Sequence, residues 1–188
     1  MAKLDEKAVA SGLEIRQMME LAGWHMIQLL ARLELGDTNK IAVVVGKGNK
    51  GGDGLSAARH LLNYGHQVDI FLLEREISPD AQHHLELLQK MSANIADYTD
   101  QSLDEYTVII DSLIGYRLQG EITGNYAVAV NAINNSPART IAYDLPTGVF
   151  ASNGQVTTPA VKADCTLMLA LAKKQLATKT WIILVKSF

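Results

Sequence analysis

Residues 40–45, Lys-Ile-Ala-Val-Val-Val, and residues 67–73, Gln-Val-Asp-Ile-Phe-Leu-Leu, are short apolar runs rich in β-branched side chains. Runs of that length and composition predict buried strands. Between them, residues 55–62 carry apolar side chains at helical spacing, so the three segments form a β-α-β unit. A second helix is expected over residues 79–91, because Pro79 suits a first helical turn and Ser78 a cap. Residues 106–110 then read as a buried strand ending at Asp111, residues 125–134 as a helix after Gly124, and residues 139–143 as a strand ending at Asp144. Residues 165–171 and 181–185 are further strand candidates, and residues 12–33 predict a long helix interrupted at Ala22-Gly23. Strands alternating with helices predict an α/β fold, a Rossmann-like three-layer α/β/α sandwich with a mostly parallel sheet. In such sheets ligands bind beyond the carboxyl ends of the strands, where loops begin here at Gly46, Asp111 and Asp144.

Composition narrows the possibilities. A length of 188 residues with 48% hydrophobic content is enough for one sizeable core, and a single domain over residues 1–188 is expected. The longest apolar runs, at residues 41–45 and 182–185, fall far short of the roughly 20 residues of a membrane span. A net charge of -3, spread along the chain, makes no field for nucleic acid or an anionic membrane. Cys165 is the only cysteine, which excludes an intramolecular disulfide and four-cysteine zinc sites and fits a reducing, cytoplasmic setting. The first twelve residues carry Lys3, Asp5, Glu6 and Lys7 and do not read as a secretory signal.

Candidate chemistry concentrates at three places. The segment Gly46-Lys47-Gly48-Asn49-Lys50-Gly51-Gly52-Asp53-Gly54 follows a strand and opens a helix, where backbone N–H groups and a helix N-terminus bind phosphate. A tight turn needs one or two glycines. Five in nine residues exceed that and are expected to let an anion approach the backbone. The spacing is neither G-x-G-x-x-G/A nor the GK[ST] ending of a P-loop. Asp111 precedes Ser-Leu-Ile-Gly and Asp144 precedes Leu-Pro-Thr-Gly, at what look like matching strand ends. A carboxylate there can orient a hydroxyl, hold a cation or move a proton, or simply accept hydrogen bonds in a turn. His25, His60, His66, His83 and His84 lack metal-binding spacing and read as surface or supporting residues. Met18, Met19 and Met26 read as core or subunit packing, and no nucleophile elbow surrounds Ser56, Ser112 or Thr147.

Taken together, these motifs resemble the NAD(P)H-hydrate epimerase family, the YjeF N-terminal domain. The resemblance rests on Gly48-Asn49-Lys50-Gly51-Gly52-Asp53-Gly54-Leu55 followed by Ala57-Ala58-Arg59-His60-Leu61, and on Asp111-Ser112-Leu113-Ile114-Gly115 with Gly120. It also rests on Asp144-Leu145-Pro146-Thr147-Gly148 and on Ala163-Asp164-Cys165-Thr166-Leu167 before Lys173, and it runs from Glu14-Ile15-Arg16 to about Leu176. It implies an isomerase, usually dimeric, that interconverts the R and S forms of hydrated NADH and NADPH for metabolite repair. The hydrate is substrate, so no redox cofactor is implied. A separate dehydratase acts on the S form, and this chain is expected to be too short to include one.

The resemblance carries substrate contacts to Asn49, Gly51, Gly52, Asp53 and Asp144, and to the loop of Gly115, Tyr116, Arg117, Leu118 and Gly120. It places potassium ligands at position 50, Asp111 and Thr147. Lys50 stands where the family has Asn, and a lysine is a cation with no acceptor to offer. Its ammonium is expected to pair with Asp111 or a substrate phosphate. Tyr116-Arg117 replaces Thr-Gly and adds positive charge, Thr147 replaces Ser, and the tail after Lys179 does not resemble the family's ending. Asp144 is expected to move the proton and Asp53 to orient substrate. Two alternatives remain at this point. One is a non-catalytic nucleotide-binding or scaffold module of the same fold, and the other an ordinary NAD-binding oxidoreductase with Glu74 as its ribose-binding acid.

Overall fold

The computed structural model describes residues 2–35, 39–169 and 181–185. Its elements in chain order are α1 (Ala2–Ala10), α2 (Ile15–Arg32), β1 (Lys40–Val45), α3 (Asn49–Asn63), β2 (Gln67–Leu72), α4 (Pro79–Lys90), β3 (Asn94–Asp97), β4 (Val108–Ser112), α5 (Gly124–Asn135), β5 (Arg139–Tyr143), β6 (Cys165–Leu169) and β7 (Trp181–Val185). The strands form one sheet in the order β3-β2-β1-β4-β5-β6-β7, with every neighbouring pair parallel. Period-2 alternation along β1 divides the core. Ile41, Val43 and Val45 pack under α2, α3 and α4, whereas Ala42 and Val44 face the side covered by α5. Both faces are buried, which is why the strands read as continuous apolar runs.

Several boundaries differ from the sequence expectation, each for a physical reason. The α3 helix starts at Asn49 rather than 55, because its glycines serve close packing. A Cβ at Gly51 would fall 2.0 Å from the Gly46 carbonyl oxygen, one at Gly52 2.5 Å from Met19 Cε, and one at Gly54 2.3 Å from Ser112 Oγ. Glycine therefore brings the first turn of α3 down onto β1, β4 and α2. Only Gly48, at the turn before the helix, faces open space.

Nor does Gly23 break the N-terminal helix. The α2 helix continues through it, and a Cβ there would lie 2.5 Å from Ser56 Oγ and 2.8 Å from the Ser56 carbonyl carbon, so this glycine sets the approach of α2 to α3. The α1 helix and the short polar strand β3 carry too little hydrophobic pattern to be read in advance. Asn94 of β3 donates to Asp69 of β2 at 2.7 Å. The strand expected from 106 begins at Val108, since Tyr106 instead donates its hydroxyl to Asp69 at 2.7 Å and packs edge-on against Phe71. Ser78 caps α4 as expected, accepting from the Ala81 amide. The sixth strand ends at Leu169, and the expected residues 170 and 171 lie outside the described residues, as does Lys173.

Of the two readings, surface or supporting, His84 takes the second. It is fully buried where α2, α3 and α4 meet, with Nδ1 3.5 Å from Glu20, and burial lowers its pKa. The same Glu20 carboxylate takes the Arg59 guanidinium and lies 3.0 Å from His60 Nε2, so the histidines belong to helix packing.

Gly23→Ala separates two opposing effects. Alanine gains about 1 kcal/mol of helix propensity, whereas forcing a methyl into a packed contact costs about 1–3 kcal/mol. With Ser56 backbone this close, the contact wins, and urea unfolding is expected to report net destabilisation. A more stable variant would mean that α2 and α3 can separate freely.

Candidate functional site

The chain leaves β1 in one direction to β2 and β3 and returns to the other side at β4, so the sheet order switches between β1 and β4. Such a switch opens a crevice beyond the carboxyl ends of the two strands. Three segments meet at that rim: the turn into α3, the loop after β4 and the loop after β5. The Gly46 amide donates to the Ser112 carbonyl at 3.0 Å, joining the first two.

The centre of the rim is Lys50, in the first turn of α3 and 7% exposed. Its Nζ donates to Asp111 Oδ2 at 3.0 Å, the Leu145 carbonyl at 2.8 Å, Thr147 Oγ1 at 3.1 Å and the Ile114 carbonyl at 3.3 Å. The expected pairing of Lys50 with Asp111 is therefore present. Asp111 is fully buried and accepts also from the Leu113 amide at 3.1 Å, the Thr147 amide at 2.8 Å and the Thr147 hydroxyl at 2.6 Å. Thr147 gives its one hydroxyl proton to Asp111 and receives the Ile114 amide at 3.0 Å. A carboxylate so fully engaged anchors loops and is not free to shuttle a proton. Losing one partner of a buried pair of this kind costs about 3–5 kcal/mol.

Asp144 lies elsewhere in the register. Asp111 is inside β4 and pairs with Ala142, so Asp144 stands beyond it, after β5. The apparent match of the two sequence motifs is thus not a match in space. Asp144 has φ +58°, a left-handed conformation that costs a non-glycine residue energy and clusters at functional sites. Its amide is held by the Leu167 carbonyl at 2.8 Å.

Asp53, one turn along α3, keeps part of its surface open but is densely enclosed by protein. Its carboxyl is pushed well above the usual range by that burial first and then by the charges of Asp144 and Asp5, with Lys50 opposing. Behind it, Tyr143 is buried, its hydroxyl donating to the Ala22 carbonyl at 3.1 Å, and its pKa is raised by burial and by Asp53. Asp5 of α1 is the site residue that sequence reasoning missed. It accepts the Tyr116 hydroxyl at 3.3 Å, and burial raises its pKa against that hydrogen bond. No local motif marks Asp5, because only the tertiary placement of α1 brings it to the rim.

The other candidate residues fall around this centre. Asn49 is half-buried in the first turn of α3, while Gly51 and Gly52 are buried against protein and their amides donate to the Gly48 carbonyl at 2.9 and 3.3 Å. Gly115 lies over the Lys50 side chain, where a Cβ would be 3.5 Å from Lys50 Cβ. Tyr116 and Leu118 are half-buried, Arg117 and Gly120 exposed, and the Leu118 amide closes the turn onto the Gly115 carbonyl at 3.2 Å. Glu74 is engaged by the Tyr126 hydroxyl at 2.9 Å and by Lys47 at 3.5 Å. A surface depression of about 630 Å³ lies at the opposite end of the sheet, between Ile133, Arg139 and Asp164, and holds none of these groups. The chemistry is at the carboxyl rim, where Asp53 and Asp144 gather beside the N-terminus of α3, an anion-binding setting.

Known proteins resemble the chain in sequence and in fold. The chain is 38% identical over 165 residues to the NAD(P)H-hydrate epimerase of Oenococcus oeni, covering 87% of this chain and 78% of that one. It is 36% identical over 168 residues to the bifunctional NAD(P)H-hydrate repair enzyme Nnr of Moorella thermoacetica, covering 83% of this chain but spanning only 32% of that protein. The crystal structure of yeast ynu0 superposes with a TM-score of 0.83 over 94% of this chain and 80% of that one, at 22% identity, a likeness of fold. Residues 15–175 match the family model described as YjeF-related protein N-terminus, and the chain belongs to that family.

Proposed function

We propose that the protein is an NAD(P)H-hydrate epimerase, an isomerase that interconverts the R and S forms of hydrated NADH and NADPH. The observation that carries this reading is the placement of Asp53 and Asp144 at the switch-point crevice, in a chain whose relatives bear that name. A non-catalytic module of the same fold is not favoured by those relatives.

In the hydrate, the ring carbon beside nitrogen carries a hydroxyl. The nitrogen lone pair forms a C=N bond as the C–O bond breaks, and the departing oxygen takes a proton and leaves as water. Water then adds to either face of the iminium, gives up a proton and restores the lone pair. No net proton or electron is exchanged. Asp144, its backbone set in the left-handed region, protonates the departing hydroxyl and takes the proton back from the returning water, while Asp53 orients the substrate. The N-terminus of α3, with Asn49, receives the pyrophosphate, and Arg117 adds positive charge from the loop of residues 115–120. Supply of the S form to a separate NAD(P)H-hydrate dehydratase follows from this activity, and a homodimer in the cytoplasm completes the reading. Consistent with an aqueous substrate, no helix among the described residues is long and apolar enough to cross a membrane.

The direct test supplies R-hydrate with an excess of dehydratase and measures its consumption with and without this protein. Faster consumption is expected, and an unchanged rate would refute the activity. Asp144→Asn keeps the shape but cannot carry a proton, and its rate is expected to fall by about 10²-fold or more while nucleotide binding measured by titration calorimetry persists. Near-native turnover would move the role to Asp53.

Asp53 makes a separate, non-catalytic prediction. Because its pKa is raised in the folded protein, the native state binds more protons than the unfolded chain, so this group's contribution to stability falls as pH rises from about 4 toward the raised value. Asp53→Asn removes that loss. Denaturant unfolding is expected to find the variant more stable than native protein at pH 7, with the difference shrinking toward pH 4. A constant difference across that range would rule out the raised pKa.

A further inference from the structure

We infer that Lys50 is a built-in monovalent cation, whose ammonium occupies an oxygen cage that would otherwise take a potassium ion. The cage consists of the Asp111 carboxylate, the Thr147 hydroxyl and the Ile114 and Leu145 carbonyl oxygens, all within 2.8 to 3.3 Å of Nζ. Carboxylate, hydroxyl and carbonyl oxygens form the donor set of hard cations. An ammonium resembles potassium in charge and size, so the same oxygens can surround either.

With Lys50 present the cage does not fit an ion. An ion bonded to these four oxygens would sit at the position of Nζ, and two unit cations there would repel strongly in a buried setting. The arrangement also explains why a buried ion pair is retained where an apolar pair would often be as stable. Two of the four acceptors are main-chain carbonyls at the ends of β4 and β5, and no side-chain replacement can remove them. They need a donor or a cation, and Lys50 supplies both from α3 without an ion having to be captured. Its Nζ reaches oxygens of the loops after β4 and β5 from α3, which makes Lys50 a positioning residue for the three rim segments.

This inference does not depend on the substrate, so its test is made without activity. Thermal unfolding of the native protein and of Lys50→Asn is measured in potassium chloride and in N-methylglucamine chloride at equal ionic strength. The native protein is expected to melt at the same temperature in both salts. Lys50→Asn, which offers an additional oxygen in place of the ammonium, is expected to melt lower than native in N-methylglucamine and to recover by at least about 2 °C as potassium rises, in a saturable manner. Rubidium anomalous scattering from crystals of both proteins gives a second readout, with a peak among Asp111, Thr147 and Leu145 expected in the variant and none in the native protein. If Lys50→Asn does not fold in either salt, Lys50→Gln and the native rubidium map decide. A potassium-specific rise in the native protein, rubidium bound beside Lys50, or a variant indifferent to potassium would each overturn the inference.

Discussion

The rim of this protein depends on one buried charge. Asp111 is inside the sheet, where an uncompensated carboxylate would be costly, and its compensation comes from Lys50, Thr147 and two amides. Those partners belong to α3, to the loop after β4 and to the loop after β5. Satisfying a single carboxylate therefore fixes three segments relative to one another. Asp144 and Asp53 inherit their separation from this arrangement, because Asp53 lies three residues after Lys50 and Asp144 lies directly before Leu145, both of them anchored.

Lys50 can reach Asp111 only because α3 lies so close to the sheet. Gly46, Gly51 and Gly54 provide that closeness, each meeting backbone or a short side chain where a Cβ would stand. The glycine-rich character of the segment is thus explained by helix-to-sheet contact before any ligand is considered. Gly48 alone faces outward at the N-terminus of α3. Structural packing and ligand approach are divided among neighbouring glycines that look equivalent in the sequence.

Much of the fold was legible because both faces of the sheet are buried. Residues 40–45, 67–73 and 139–143 show apolar runs whose ends coincide closely with β1, β2 and β5. What could not be read was set by contacts distant in sequence. Gly23 resembles a helix breaker until Ser56 is seen beside it, and the start of α3 is hidden by glycines that would weaken an isolated helix. The gathering of Lys50, Asp111, Asp53 and Asp144 at one rim was legible, since each sits in a motif at the carboxyl end of a strand or the start of a helix. Asp5 and the burial of His84 were not, since α1 and α4 bring them to their places only after folding.

The left-handed backbone at Asp144 also constrains how the chain can change. Aspartate, asparagine and glycine tolerate φ near +58°, whereas β-branched or bulky residues do not. On the proposed mechanism, replacement at this position is therefore filtered twice, once by proton chemistry and once by backbone geometry. A lineage abandoning the chemistry could pass through asparagine or glycine with its rim undisturbed, but most other substitutions would deform the loop that Lys50 holds, so catalysis is easier to lose here than architecture.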